Sequence, residues 1–184
     1  TFRIIKDTMP SSELMVSHGG YDNSDVNKDI NCMFPIDRLH ELAKNGVIKG
    51  VAPVHIGFMG GGGNQEKFKN ETGPAIAKIL KDEGVDAVIL TAGWGTCHRS
   101  AVLVQRAIEA AGIPTIIIAA LPPVVRQTGS PRAVAPLVPM GANAGEPNNI
   151  EMQYNIVKDT LEQLEEIESA GKIVPLPYEY VAKV

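Results

Sequence analysis

The stretch "ILTAGWGTCHRSAVLVQRAIEAAG", residues 89–112, places a cysteine and a histidine side by side where a glycine turn leads into a helix. We predict that this helix runs from His98 to Ala111, so that Cys97 lies at its N-terminus. Free amide groups and the helix dipole favour a thiolate there, and His98 can add positive charge or a proton. The pattern predicts a nucleophilic or redox-active Cys97, with a structural cysteine in a glycine turn as the alternative.

The only tryptophan of the chain, Trp94, stands in the same turn, three residues before Cys97. A dithiol redox motif has its second cysteine at this spacing. The residues alone therefore leave Cys97 without a resolving partner, and they leave a large side chain in a turn that usually takes small ones.

A second turn, "SHGGYDN", brings together His18, Tyr21 and Asp22. All three side chains form hydrogen bonds or transfer protons, so they are candidates for substrate binding. The alternative is an ordinary polar turn on the surface. Arg126, close to "QTGSP", can hold a carboxylate by paired hydrogen bonds, although a subunit contact or a solvated position explains it equally well.

Cofactor motifs are weak in this chain. The turn "MGGGGN" lacks the Lys-Ser/Thr of a phosphate-binding loop and the glycine spacing of a dinucleotide site, so we predict no nucleotide. The two cysteines, Cys32 and Cys97, stand 65 residues apart without metal-ligand spacing, so we predict no metal. Two cysteines make no disulfide framework, which favours a reducing cytoplasm.

The elements that must position these groups follow from apolar runs. Continuous apolar stretches predict strands at 54–58, 86–92 and 114–120, and helical spacing predicts helices at 71–83 and 149–169. Alternating strands and helices predict a single α/β domain over 1–184, with a doubly wound, mostly parallel sheet flanked by helices. Ligands bind beyond the carboxyl ends of such strands, which is where we expect the three glycine turns.

Two further segments are expected to be irregular. The Pro- and Gly-rich run "LPPVVRQTGSPRAVAPLVPMGANAGEPNN" predicts an ordered loop after the last core strand. The tail "KIVPLPYEYVAKV" predicts an extended segment that docks on a neighbour. The chain starts at "TFRIIKDT" without an initiator methionine, so we expect earlier residues of the full-length polypeptide to be missing.

Charge and hydropathy argue against two classes of binding partner, nucleic acids and membranes. The formal net charge is −4 and no long basic run occurs, which argues against nucleic acid. No apolar run approaches the length of a membrane span. The chain has the composition of an ordinary globular protein.

Longer motifs resemble a known family. The segment "VILTAGWGTCHRSAVLVQRAIEAAGIPTI" is similar to the redox segment of the selenoprotein B family of amino-acid reductases, whose members carry selenocysteine-Gly-Thr-Cys here. The segments "ELMVSHGGYDNSDVNKDINCMFPIDRLHELAK" and "VAPVHIGFMGGGGNQEKF" extend the resemblance, most closely to the selenocysteine-bearing small subunits of D-proline reductases. Selenocysteine is encoded by UGA, one base from the UGG of tryptophan, so Trp94 stands where the family has selenium.

The resemblance implies a chemistry. It implies reductive C–N cleavage of D-proline to 5-aminopentanoate, together with a partner subunit whose pyruvoyl group binds the ring nitrogen. Position 94 is then the nucleophile, and Cys97 is the resolving thiol that closes a selenenylsulfide. A dithiol or an electron-donating redox protein restores the reduced pair. His98 as a proton donor, and His18, Tyr21, Asp22 and Arg126 as substrate-binding groups, are our own hypotheses.

Two alternatives stay open. The chain can be component B of a glycine, sarcosine or betaine reductase, which shares the selenocysteine-Gly-Thr-Cys core on a longer polypeptide. It can also be a non-catalytic binding subunit in which a genuine Trp94 stacks on a ligand. In either case, a protein with tryptophan at position 94 is expected to be inactive as a reductase, because an indole cannot attack carbon.

Overall fold

The computed structural model describes residues 1–61 and 64–182. Within them lie six strands, β1 to β6, at Phe2–Lys6, Val54–Phe58, Val88–Thr91, Thr115–Ile118, Arg132–Leu137 and Lys172–Glu179. Seven helices, α1 to α7, occupy Ser24–Lys28, Ile36–Lys44, Gln65–Lys67, Gly73–Asp82, Gly95–Ala110, Pro122–Thr128 and Ile150–Glu166. Short 3₁₀ turns at Ser11–Glu13 and Ile30–Cys32, and a π-helical turn at Phe68–Thr72, complete the elements.

The centre of the fold is a four-stranded parallel sheet in the order β3-β4-β5-β6. All four residues of β4, Thr115–Ile118, are buried, as a strand covered on both faces requires. The predicted α/β class and the parallel sheet are confirmed. The predicted strands at 54–58, 86–92 and 114–120 all form, and Gly84 and Gly112 end the preceding helices with positive φ.

Helices cover both faces of this sheet. On one face, α4, α5 and α6 pack on Leu90, Ile117 and Ala133. On the other face, α7 packs on Ile116 and Val134. Since the strand order follows the chain order, the crossover through α7 has the opposite hand to the crossovers through α5 and α6.

The strands β1 and β2 form a separate antiparallel ribbon, with Phe2 opposite Phe58 and Lys6 opposite Val54. The turn after β2 contacts the start of α5, which follows β3, because an added Cβ at Gly60 would lie 2.6 Å from the Cα of Cys97. The carboxyl ends of β2 and β3 therefore meet at one edge of the fold.

The Pro- and Gly-rich run after Leu121 differs from the predicted loop. It contains a helix, Pro122–Thr128, and a strand, Arg132–Leu137. Two prolines at the start of α6 fit the first helical turn, where a missing N–H costs nothing, and Gly129 ends the helix in the left-handed conformation. Only the part from Pro139 to Asn149 follows the irregular course expected of the whole run.

The tail also differs from the prediction. Residues Lys172–Glu179 form β6, which pairs in parallel with β5 inside the same sheet. The extended conformation was predicted correctly, but the partner is the chain itself. A β-bulge between Ala135 and Leu137 interrupts the pairing where Pro136 cannot donate a ladder hydrogen bond.

Candidate active site at the carboxyl edge of the sheet

The redox turn joins β3 to α5. The strand ends at Thr91 and the helix begins at Gly95, three residues earlier than predicted from the apolar spacing. Trp94 is therefore the N-cap, with an extended backbone (φ −139°, ψ 166°) and no side-chain capping hydrogen bond. Cys97 is the third residue of the helix. In a capping box the side chain at the third position reaches back to the backbone N–H of the N-cap, and the Cys97 sulfur accepts from the Trp94 backbone in this way.

The Cys97 sulfur lies beside a histidine from the "SHGGYDN" turn. The distance from Cys97 Sγ to His18 Nε2 is 3.8 Å. His18 Nδ1 accepts a 2.9 Å hydrogen bond from the N–H of Gly20, so the neutral ring carries its proton on Nε2. The histidine can therefore donate to the sulfur. The side chain of Asn23 holds the turn, because it accepts from the His18 N–H and donates to the His18 carbonyl, both at 2.8 Å.

Burial raises the pKa of the Cys97 thiol above its ordinary value. Hydrogen bonds from the backbone of Gly60 and Trp94 and from the side chain of Thr96 act in the opposite direction but do not outweigh it. The sequence argument that a helix N-terminus favours a thiolate therefore captures only the smaller contribution. Cys97 is half-buried, so its sulfur is sheltered without being sealed in the core.

Tyr21 is fixed by two glycines. An added Cβ at Gly93 or at Gly141 would lie 2.5 Å from atoms of the Tyr21 ring, so both positions have to be glycine for the ring to fit. The Tyr21 hydroxyl donates to the Met33 sulfur at 3.6 Å, and its ring centroid lies 5.1 Å from that of His18. Burial raises the pKa of Tyr21 to about 12, and the nearby Cys97 adds to this, so the phenol is neutral at physiological pH.

The indole of Trp94 completes this group. Its ring centroid lies 6.5 Å from that of His18, and an added Cβ at Gly20 would lie 3.0 Å from Trp94 Cδ2. Trp94 is half-buried. The structure thus brings together four of the seven predicted site residues: His18, Tyr21, Trp94 and Cys97.

The glycine turn after β2 contributes packing rather than a ligand cradle. Gly60 presses against Cys97, and its carbonyl accepts a 2.8 Å hydrogen bond from Ser100 Oγ on α5. Gly62 and Gly63 of the "MGGGGN" motif lie outside the described residues. Sequence reasoning did not single out Gly60 as a site residue, and the glycine run next to a strand end was the signal that could have found it.

His98 lies in a different environment from the one predicted. Its side chain is fully buried, and Nδ1 lies 2.8 Å from the carbonyl oxygen of Trp94, to which it donates. Its Nε2 has no hydrogen-bond partner among residues 1–61 and 64–182. Burial lowers the pKa of His98, and the hydrogen bond to Trp94 only partly offsets this. The ring is therefore neutral, and it fixes the backbone of residue 94.

Asp22 and Arg126 do not join the site. Asp22 is exposed, and its carboxylate accepts a 2.9 Å hydrogen bond from the N–H of Ser24 at the start of α1. Hydrogen bonds from the Ser24 backbone and side chain lower the pKa of Asp22. Arg126 is exposed on α6, and within the described part of the chain no hydrogen bond links its side chain to His18 or Cys97.

The described residues contain neither a cluster of metal-ligating side chains nor a membrane-spanning helix. Three or more His, Cys, Asp or Glu side chains nowhere come together there in a way that could hold a metal ion. The helices that the structure describes are too short or too polar to cross a membrane.

Comparison with known proteins decides the family. Over all 184 residues the chain is 75% identical to D-proline reductase subunit gamma of Acetoanaerobium sticklandii, and it spans 76% of that protein. The sequence model of glycine/sarcosine/betaine reductase selenoprotein B matches residues 4–93 and ends one residue before Trp94. The chain belongs to the selenoprotein B family. The resemblance inferred from the redox segment is therefore confirmed.

More distant members of the selenoprotein B family are much longer. Sarcosine reductase complex component B subunit beta of Peptoclostridium acidaminophilum is 35% identical over 144 residues, which is 77% of this chain and 32% of that protein. Glycine reductase complex component B subunit gamma of Carboxydothermus hydrogenoformans is 36% identical over 146 residues, which is 78% of this chain and 32% of that protein. No solved structure matches the chain.

Proposed function

We propose that this chain is the selenocysteine-type subunit of a D-proline reductase, with position 94 as nucleophile and Cys97 as resolving thiol. The 75% identity to D-proline reductase subunit gamma over the whole chain carries the choice of substrate. The names of the relatives describe subunits of reductases, one of them a complex, which supports a hetero-oligomer. That the partner subunit carries a pyruvoyl group is part of the proposal.

The backbone at position 94 fits a selenocysteine. Its extended φ and ψ are open to any residue, and no capping bond depends on the side chain. Selenocysteine is much smaller than tryptophan, so it fits where the indole lies beside Gly20 and His18. A selenolate there would supply the nucleophile for the α-carbon of D-proline, while a pyruvoyl group on the partner subunit would hold the amine.

The spacing to Cys97 gives this chain its resolving group. Position 94 is the N-cap and Cys97 the third residue of one helix, and the backbone N–H of residue 94 bonds to the Cys97 sulfur, so that sulfur lies next to residue 94. Because burial raises the pKa of Cys97, it is held as a thiol until it is needed. His18 Nε2–H donates toward Cys97 Sγ and therefore stabilises the thiolate as the proton leaves.

The remaining residues of the site hold the reacting groups in position. The Tyr21 ring packs near the His18 ring. Tyr21 is itself held in place by its close contacts with Gly93 and Gly141 and by the hydrogen bond from its hydroxyl to the Met33 sulfur. His98 holds the carbonyl of residue 94 and is a positioning residue. Asp22 and Arg126 are left out of the proposed substrate pocket, because the Asp22 carboxylate bonds to the N–H of Ser24 and the Arg126 side chain is exposed on α6.

The test replaces Trp94 by selenocysteine in the complex with the pyruvoyl-containing partner. We expect the Trp94 protein to assemble and to show no turnover of D-proline under excess dithiol, whereas Trp94→Sec restores formation of 5-aminopentanoate. Intact mass and the selenium isotope pattern verify residue 94. Cys97→Ser in the selenocysteine protein is the matched control, and it should lose multiple turnover while still allowing a single one.

Three outcomes would contradict the proposal. Turnover of D-proline by a protein whose residue 94 is verified as tryptophan would show that position 94 does not supply the nucleophile. Turnover of glycine, sarcosine or betaine in preference to D-proline would favour a component B role, which the family match over residues 4–93 also allows. A UGG codon at position 94, together with no activity of the selenocysteine protein, would favour a binding subunit.

A further inference from the structure

A groove of about 720 Å³ separates the ribbon β1-β2 from the parallel sheet. One wall is β2, whose residues Val54–Phe58 are all half-buried, and the other wall is β3, Val88–Thr91. Lys49 and Asp86, which precede the two strands, also line the groove, and the turns that follow the strands meet where Gly60 contacts Cys97. The two strands therefore run side by side in the same direction without pairing.

The helical layers of the sheet continue across this groove. Ile76 and Ile108, from α4 and α5, line it on one side, and Leu39 and Leu161, from α2 and α7, line it on the other. The same two layers cover the faces of the paired strands. The groove is thus sandwiched between two helical layers, in line with the sheet.

The backbone of β3 turns hydrogen-bonding groups into the groove. Val88 N–H donates to the carbonyl of Pro114 at 3.0 Å, so Val88 faces β4. Along a parallel ladder, alternate residues face opposite neighbours, so Ile89 and Thr91 direct their N–H and C=O groups to the groove. None of the described residues forms a backbone hydrogen bond with these groups.

The same holds for β2. Asp7 N–H donates to the carbonyl of Pro53 at 3.0 Å, which sets the antiparallel pattern of the ribbon. His55 and Gly57 are then the residues bonded to β1, and Ile56 and Phe58 direct their backbone groups away from it, to the groove. Unpaired backbone groups in an apolar groove are costly, so both walls favour a hydrogen-bonding partner.

We propose that this groove holds an additional β-strand of the same subunit, hydrogen-bonded to β2 on one side and to β3 on the other. Between two such walls, an extended apolar segment of about five residues satisfies both rows of groups, and no other element does so. The relative D-proline reductase subunit gamma has roughly a quarter of its length outside the region that this chain matches, so it carries ample chain for such a strand.

The strand would join the ribbon and the sheet into one continuous sheet. Its end would lie between the turn at Gly60 and the turn at Trp94, next to the candidate active site. This inference does not depend on the proposed function, since it rests on backbone pairing alone.

The test is hydrogen–deuterium exchange resolved to single amides, on two chains. One is the present 184-residue chain, and the other carries the additional residues of the Acetoanaerobium sticklandii relative, joined as the alignment places them. We expect exchange at Ile56, Phe58, Ile89 and Thr91 to slow by about 100-fold in the extended chain relative to the paired amides of Val88 and Gly57.

Other outcomes overturn the inference. Equal exchange in both chains means that the added residues do not enter the groove. Protection that rises with the concentration of the 184-residue chain assigns the groove to a second copy, and protection that needs the partner subunit assigns it to that subunit. If the fusion does not fold, the same measurement on the aligned amides of the full-length relative decides the question.

Discussion

The two cysteines show how one residue type takes two roles. Cys32 is fully buried, and burial with the charges of Asp29 and Asp25 raises its pKa to about 12, so it acts as a small apolar filler. Cys97 is half-buried and lies 3.8 Å from the Nε2 of His18. Their different surroundings, rather than the residue type, are the reason that we propose Cys97 as the reactive one.

His98 predicts a pH dependence of stability. Burial holds its folded-state pKa below the ordinary value of 6.5, so the unfolded chain binds more protons once the pH falls below 6.5. The stability from His98 is fully present above pH 6.5 and is lost as the pH falls through the folded-state pKa. We expect His98→Asn, which keeps a donor near Trp94 O, to reduce this dependence by at most about 1.4 kcal/mol per pH unit.

The measurement is the free energy of unfolding by urea between pH 8 and pH 5. His98→Ala is the control, because it removes the titrating ring and also the hydrogen bond to Trp94. The free energy of unfolding of this variant should depend on pH as weakly as that of His98→Asn, and it should be lower by about 1 kcal/mol or more at pH 8. Identical slopes for the wild type and both variants below pH 6.5 would show that His98 does not titrate in this way.

For individual residues, the sequence predicted which side chains come together but not how each side chain is oriented. The glycine turns marked His18, Tyr21, Trp94 and Cys97 as candidates, and the structure brings the four side chains together. The turn that carries His18 and Tyr21 does not follow a strand, so its expected place at a strand end was wrong. The orientation of His98 was missed, because residue 98 was placed at the start of the helix, whereas the helix begins at Gly95. Three residues before Ala101, His98 lies on the same buried face of the helix as Ala101 and Val104.

At the scale of elements, the turn after β2 packs closely against the start of α5. Gly60→Ala would place a Cβ 2.6 Å from Cys97 Cα, so the turn or the helix has to move. We expect it to lower the free energy of unfolding by about 1–3 kcal/mol and to change the alkylation rate of Cys97.

Gly61 provides the matched control for that substitution. An added Cβ there meets only the Met59 sulfur, at 4.0 Å, so Gly61→Ala should stay within about 0.5 kcal/mol of the wild type. Chemical denaturation and iodoacetamide labelling of all three proteins test this. Equal effects of the two alanines would mean that the turn does not press on Cys97.

The sequence predicted the elements that have clean periodicity and missed those interrupted by proline. The buried strand at 115–118 and the long helix at 150–166 were both found from apolar patterns. The helix at 122–128 and the strand at 132–137 were missed, because prolines at 122, 123 and 136 look like loop signals. Only packing on the sheet shows that these prolines lie at positions that tolerate them.

At the scale of the whole molecule, a buried polar network joins the N-terminal region to α7. Gln153 is fully buried, accepts from Arg38 Nη1 at 3.0 Å and donates to Asp29 Oδ2 at 2.7 Å. Burial raises the pKa of Asp29, but hydrogen bonds from Gln153, Asn148 and Asn31 outweigh it and hold the pKa below its ordinary value. No sequence pattern predicts this network, because its members are up to 124 residues apart.

Replacing Gln153 tests how much this network contributes. Gln153→Leu keeps the volume and removes the partner of both Arg38 and Asp29, so we expect a loss of about 3 kcal/mol in the free energy of unfolding. Gln163→Leu on the same helix, where the side chain bonds only to Glu166, should change it by less than about 0.5 kcal/mol. A similar loss from both variants in urea denaturation would show that the network adds nothing specific.

The capping position of residue 94 has a consequence for a cell that makes this protein. Because no capping hydrogen bond depends on the side chain there, a ribosome that inserts the wrong amino acid is expected still to deliver a folded polypeptide. Quality-control proteases recognise unfolded chains, so they would leave such a product in place. Under the function proposed above, this product would occupy the partner subunit in place of the selenocysteine form, and errors at a single codon would lower the activity of the assembled enzyme.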